Sequence, residues 1–268
     1  MNKSVKQKQL ETKILNRLTG KPKQVAEYIF NNEELQLMQE YANVVSIKRL
    51  GYNDHGPVHM RKATYNSIKM FDLLHDAGVK FNLEVEGSGT VEDSLVCVVI
   101  GSLLHDLGMT ITRESHEMLS IQLAEPYINQ IMDKIYKPDE LQTKIAVRST
   151  ILESIFGHMA TRAIHSLEAG LVLIGDGSDM ERGRARIPSL LSNTPKVGDI
   201  HRYSSSAIIK VLITKGDEKP IRIEVVMSAS VGFFQIEEVF FPKIKSSPVK
   251  PYIELYAGVE EREVLRYL

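Results

Sequence analysis

The sequence predicts a mostly α-helical protein, an all-α bundle followed by a small α+β unit in ββαβ order. Three observations lead there. Apolar residues recur at helical spacing up to about residue 179, with few alternating patterns among them; strand-like alternation is concentrated beyond residue 206; and a segment rich in Arg, Pro, Gly and Ser, residues 181–205, separates the two. A length of 268 residues accommodates one sizeable domain and a smaller one. The expected division is 1–50 as N-terminal packing helices, 51–205 as the main helical domain and 206–268 as the C-terminal unit.

The elements follow in order. Ile14 and Leu18, then Val25, Tyr28 and Ile29, then Leu35, Met38, Tyr41 and Val45 mark short helices. Gly56-Pro57 breaks the chain, and Pro57 suits the first turn of a helix from Val58 to about His75. Val79 to Val85 alternates and reads as extended, and Gly87-Ser88-Gly89 reads as a link. Helices are expected over Val91–Leu107, His116–Tyr136, Pro138–Phe156 and Ser166–Asp179. In the C-terminal unit, Ala207–Thr214 and Pro220–Met227 read as strands, Val231–Phe241 as a helix and Tyr252–Ala257 as a third strand. The exposed edge of such a sheet makes self-association by sheet extension an expected mode of homo-oligomer formation.

Composition narrows the function classes. Lys plus Arg is 33 against 34 Asp plus Glu, a net charge of -1, which gives no global attraction to nucleic acid or membrane. The single cysteine, Cys97, excludes disulfide frameworks and thiolate zinc clusters and fits a reducing cytoplasm. The longest apolar run, about Leu95 to Leu104, falls short of the ~20 residues that cross a bilayer and reads as a buried helix.

The chemistry concentrates in eight histidines, His55, His59, His75, His105, His116, His158, His165 and His201. Leu103-Leu104-His105-Asp106-Leu107-Gly108 stands out because Asp106 closes a helix that is apolar all round, so its charge needs a compensating partner, and a metal ion would supply one. The near-identical Leu73-Leu74-His75-Asp76-Ala77-Gly78 closes an amphipathic helix instead, where His75 complements the helix dipole in solvent. His165 reads as a surface or packing residue.

On these residues the chain resembles the HD-domain metal-dependent phosphohydrolases over roughly residues 50 to 190. The family's pattern is a histidine, a His-Asp pair and a distant aspartate. Its first element looks like Asn53-Asp54-His55-Gly56-Pro57-Val58-His59, the pair is His105-Asp106, and the closing aspartate is Asp176 in Gly175-Asp176-Gly177. The resemblance implies His59, His105, Asp106 and Asp176 as ligands of one ion. It further implies His116 and His158 as ligands of a second ion, bridged to the first by Asp106. The implied cofactor is a divalent transition metal, Mn, Fe, Co, Ni or Zn, one or two ions per chain. In a related branch a histidine four residues before the first ligand is a general acid, which implies that role for His55.

The implied activity is hydrolysis of a phosphate monoester or diester, a nucleotide among the candidates, with metal-bound hydroxide as nucleophile. Arg113, Arg61 and the Arg182, Arg184, Arg186 run are candidate phosphate contacts, because a guanidinium fork matches phosphate geometry. The rival reading is a nucleotide-sensing regulatory protein that keeps the helical domain and uses its tail for dimerisation or ligand binding.

Overall fold

The computed structural model describes residues 3–182, 200–261 and 264–268. Helices α1 (Val5–Leu15), α2 (Gly20–Asn31) and α3 (Glu33–Asn43) come first. The capping oxygens of Ser4 and Asn32 accept from the Gln7 and Leu35 amides at the starts of α1 and α3. Next come α4 (Pro57–Asp76), the short α5 (Asn82–Val85), α6 (Val91–Leu104), α7 (His116–Ile135), α8 (Leu141–Gly157) and α9 (Leu167–Gly177). Pro57 occupies the first turn of α4. Thr90 and Asp93 form a capping box at α6, and Ser166 caps α9.

The central element is α6. Val96 to Leu104 is buried on every side, and α6 packs against α2, α4, α8 and α9. The Val91–Thr110 stretch would span a membrane by length and composition alone, but most of it is enclosed by these neighbours. Its apolarity therefore serves the protein core.

After α9 the described chain resumes with α10 (Ile200–Ala207), β1 (Ile208–Lys215) and β2 (Ile221–Met227). Then follow α11 (Gly232–Gln235), α12 (Phe241–Ser246), β3 (Ile253–Val259) and β4 (Val264–Arg266). The sheet order is β1-β2-β3-β4; β1 pairs antiparallel with β2, β2 parallel with β3 (Ile223 opposite Leu255), and β3 antiparallel with β4. Buried positions alternate along β2, so one face of the sheet meets the helices. Ile221, Ile223, Val225 and Leu255 join Met70, Phe71 and Leu74 of α4 and Leu171 and Ile174 of α9 in one buried cluster. On the other side of α6, residues of α1 to α3 share a second cluster with α4, α7 and α8.

The mostly-α fold with its small C-terminal α+β unit is as expected, with four local differences. The 79–85 segment is not extended: Phe81 stacks on Phe71 with ring centroids 4.0 Å apart, and the Glu84 carboxylate accepts the Phe81 amide at 3.2 Å to start α5. The alternation there marks Phe81 and Leu83 as buried, not as strand residues. The position near 205 lies inside α10, which passes straight into β1. The C-terminal helical stretch continues past Phe241 to Ser246. Finally, β4 makes the sheet four-stranded; its three exposed residues are too few to carry a strand pattern.

Candidate metal centre

Five elements converge on Asp106. His59 stands on the first turn of α4, His105 follows α6, His116 opens α7, His158 follows α8, and Asp176 lies near the end of α9. All six side chains, Asp106 included, are buried. The six sequence-predicted ligands are thus brought together.

Asp106 faces two ways. Its Oδ2 is 3.3 Å from both His59 Nε2 and His105 Nε2, while Oδ1 is 3.2 Å from His116 Nε2 and 3.5 Å from His158 Nε2. Asp176 Oδ1 approaches the first pair, 3.1 Å from His59 Nε2 and 3.7 Å from His105 Nε2. His59, His105 and Asp106 form one group with ligand atoms within 4.8 Å of one another, and Asp106, His116 and His158 form another. Each could hold a metal ion.

The far side of each imidazole fixes its orientation. The Nδ1 atoms of His105, His116 and His158 face the carbonyl oxygens of Ser102, Arg113 and Ile155, each three residues earlier, at 2.8, 2.8 and 2.7 Å. His59 Nδ1 faces Asp179 Oδ2 at 2.7 Å. These oxygens accept, so each ring places an N–H on Nδ1 and aims Nε2 inward, the arrangement that outer partners impose on metal-binding histidines. The inward atoms lie very close, with His59 Nε2 3.3 Å from His105 Nε2 and His116 Nε2 3.0 Å from His158 Nε2. Two lone pairs at such distances repel unless a cation or proton lies between them. Asp106 Oδ2 is buried without a hydrogen bond, a costly arrangement that a coordinated cation would relieve. The donor set fits a divalent ion.

The electrostatics agree. Burial would raise the Asp106 carboxyl, but the neighbouring imidazoles of His105, His55 and His116 hold it well below the usual carboxylate range. Burial likewise opposes the ionisation of Asp176, and Lys243 with His105 and His59 overcomes it. His105, which burial alone would lower, is pushed up to about 9 by Asp106 and Asp176. His158 is pushed down to about 4 by burial and by the charges of His105 and His116, against the pull of Asp106. The two carboxylates favour positive charge at the His105 side, a charge that a metal ion would supply in place of the ring's proton, while His158 is held in the neutral form that binds a metal.

A cavity of about 220 Å³ opens onto Asp106 and Asp176, with His55, Tyr52, Asn53 and Arg113 on its wall. The buried His55 ring sits with Nδ1 2.7 Å from the Asn53 carbonyl oxygen and 2.8 Å from Ser46 Oγ. Arg113 is half-buried, its guanidinium 5.9 Å from the Tyr52 ring centre. Arg182 is exposed and does not line the cavity, and Arg184 and Arg186 lie outside the described residues. Arg61 turns away from the cavity. It is fully buried against α1 and α3, bonded to Glu11 at 2.7 Å, Gln39 at 2.6 Å and Gln36 at 2.9 Å. His75 and His165 are exposed, as their settings suggest.

Sequence reasoning missed two residues. Asp179 lies three positions after Asp176, about one helical turn, which was the available signal. Lys243 of α12 places Nζ on Asp176 Oδ2 at 2.5 Å and on the His158 carbonyl oxygen at 2.9 Å. Nothing in its local sequence distinguishes it from the neighbouring Lys245.

No family model matches this chain, and no solved structure matches it. The chain is 37% identical over 249 residues to the uncharacterized protein MJ1020 of Methanocaldococcus jannaschii, an alignment covering 93% of each. It belongs to the same family as that archaeal protein.

Proposed function

We propose that this protein is an HD-type metal-dependent phosphohydrolase with a two-ion site. The observation that carries the reading is the Asp106 carboxylate, which offers one oxygen to each of two inward-facing histidine pairs. His59, His105, Asp106 and Asp176 would hold one ion, and Asp106, His116 and His158 the other. When bound, divalent ions supply Lewis acidity toward a phosphoryl oxygen and acidify water at neutral pH. Three protein ligands at the second group leave room for water or substrate, as catalytic sites require.

The protein's own groups supply the rest. Arg113 on the cavity wall presents a cation to the phosphate. His55, held through Nδ1 at the same wall, is the residue assigned to protonate the leaving oxygen. The substrate is a phosphate monoester or diester, a nucleotide among the candidates. The test is metal content per chain, by elemental analysis, for wild type and His116→Ala, with a generic phosphodiester and phosphomonoester assayed on the same samples. Two ions falling to one, with activity lost, is the expected result. Wild type that takes up no Mn, Fe, Co, Ni or Zn and cleaves neither ester refutes the reading.

A further inference from the structure

The C-terminal unit reaches into the site through one buried cation. Lys243 is 8% exposed, and it lines the cavity with Gln235 and Val239 of the same unit. An ammonium group has three N–H donors. Two are accounted for, one donating to Asp176 Oδ2 and one to the His158 carbonyl oxygen, and among the described residues Nζ has no third partner. The approach is built in at Gly177, where an added Cβ would lie 2.9 Å from Lys243 Cδ and 3.1 Å from Phe240 Cδ2. Absence of a side chain at that point lets the lysine stem cross the end of α9.

The carboxylate geometry sharpens the role. Both oxygens of Asp106 face histidine pairs, whereas Asp176 turns only Oδ1 toward His59 and His105 because Oδ2 is taken by Lys243. The ammonium therefore stands next to the first ligand group, at the cavity surface. Asp106, Asp176, Asp179 and Glu181 all border the cavity, so an anionic ligand meets strong repulsion unless cations face it. Lys243 and Arg113 are the lysine and arginine side chains among the described lining residues, and they come from distant parts of the sequence.

We propose that Lys243 is a substrate-binding residue, its third N–H donating to a phosphoryl oxygen held in the cavity, so that the C-terminal unit is part of the active site. This assignment rests on the phosphohydrolase reading above. It is tested on full-length, metal-loaded protein by calorimetric titration with inorganic phosphate, comparing wild type, Lys243→Met and Lys243→Arg, with metal content measured on each. The expected result is unchanged metal content in all three, phosphate affinity weakened about tenfold or more in Lys243→Met, and partial recovery in Lys243→Arg. Equal phosphate affinity in wild type and Lys243→Met overturns the assignment. Loss of metal from Lys243→Met overturns it too, because the lysine would then only hold Asp176. A wild type that binds neither metal nor phosphate overturns the phosphohydrolase reading and this assignment with it.

Discussion

At the scale of single residues, the site is a set of imidazoles whose outer nitrogens are all engaged. Three are anchored by a carbonyl on their own chain segment, and His59 is anchored by the Asp179 carboxylate. That exception yields a prediction. Asp179→Ala should weaken binding at the His59 group about 10- to 100-fold, the usual effect of losing an outer-shell partner, and leave the His116–His158 group loaded. A competitive chelator titration resolving two ions per chain measures it; equal weakening at both groups would assign Asp179 a general structural role. The His105-Asp106 pair was readable in the residues themselves, because a charge at the end of a wholly apolar helix demands a partner and because the pair has a solvent-exposed counterpart in His75-Asp76 for contrast. His59, His116, His158 and Asp176, by comparison, came only from the resemblance to the HD-domain pattern. Arg61 misled for the opposite reason. Arginine two residues after a ligand points elsewhere on a helix, and here Glu11, Gln36 and Gln39 enclose it.

At the scale of elements, the turn after α6 positions the second histidine pair. Gly108 lies so close to the start of α7 that an added Cβ would sit 2.0 Å from the His116 carbonyl oxygen and 2.8 Å from the Ser120 amide nitrogen. Those are backbone atoms, which cannot swing aside. The Gly108 amide also donates to Ser120 Oγ at 2.8 Å, tying the two segments together. Ser115, the residue before His116, has a left-handed φ of 51°, an uncommon conformation for a side-chain-bearing residue. Gly108→Ala should therefore displace the first turn of α7 and remove the second ion while the first is kept. Elemental analysis giving one ion per chain would bear this out, and two would show that α7 can shift without losing its ligand. The glycine was visible in the sequence as part of the pair's motif, but its packing against α7 is a tertiary contact that no local pattern encodes.

At the scale of the whole molecule, the sequence showed where the first three strands begin but neither the fourth nor how the C-terminal unit attaches. Its helical and strand patterns are local, whereas the contact of β2 and β3 with α4 and α9 depends on long-range packing. The shared cluster predicts one cooperative unfolding transition. Ile223→Ala, a large-to-small change at a fully buried position, should cost about 2–5 kcal/mol and move that single transition to lower temperature. Two separate calorimetric transitions, with only one moved, would show that the units fold independently. Lys243 belongs to the same lesson, since a residue 67 positions from its partner Asp176 gains meaning only when the sheet docks.

That distance along the chain also orders events during synthesis. Translation delivers the N-terminal segments first, so every predicted ligand has emerged while Lys243 and the sheet have not. In that interval Asp176 lacks its ammonium partner, and Met70, Phe71 and Leu74 of α4 have no strands to cover them. A nascent chain paused there would carry a half-neutralised carboxylate centre beside a bare apolar face. Such a species would be prone to capture by a holding chaperone or to aggregation, and emergence of the sheet and of Lys243 would relieve both conditions together.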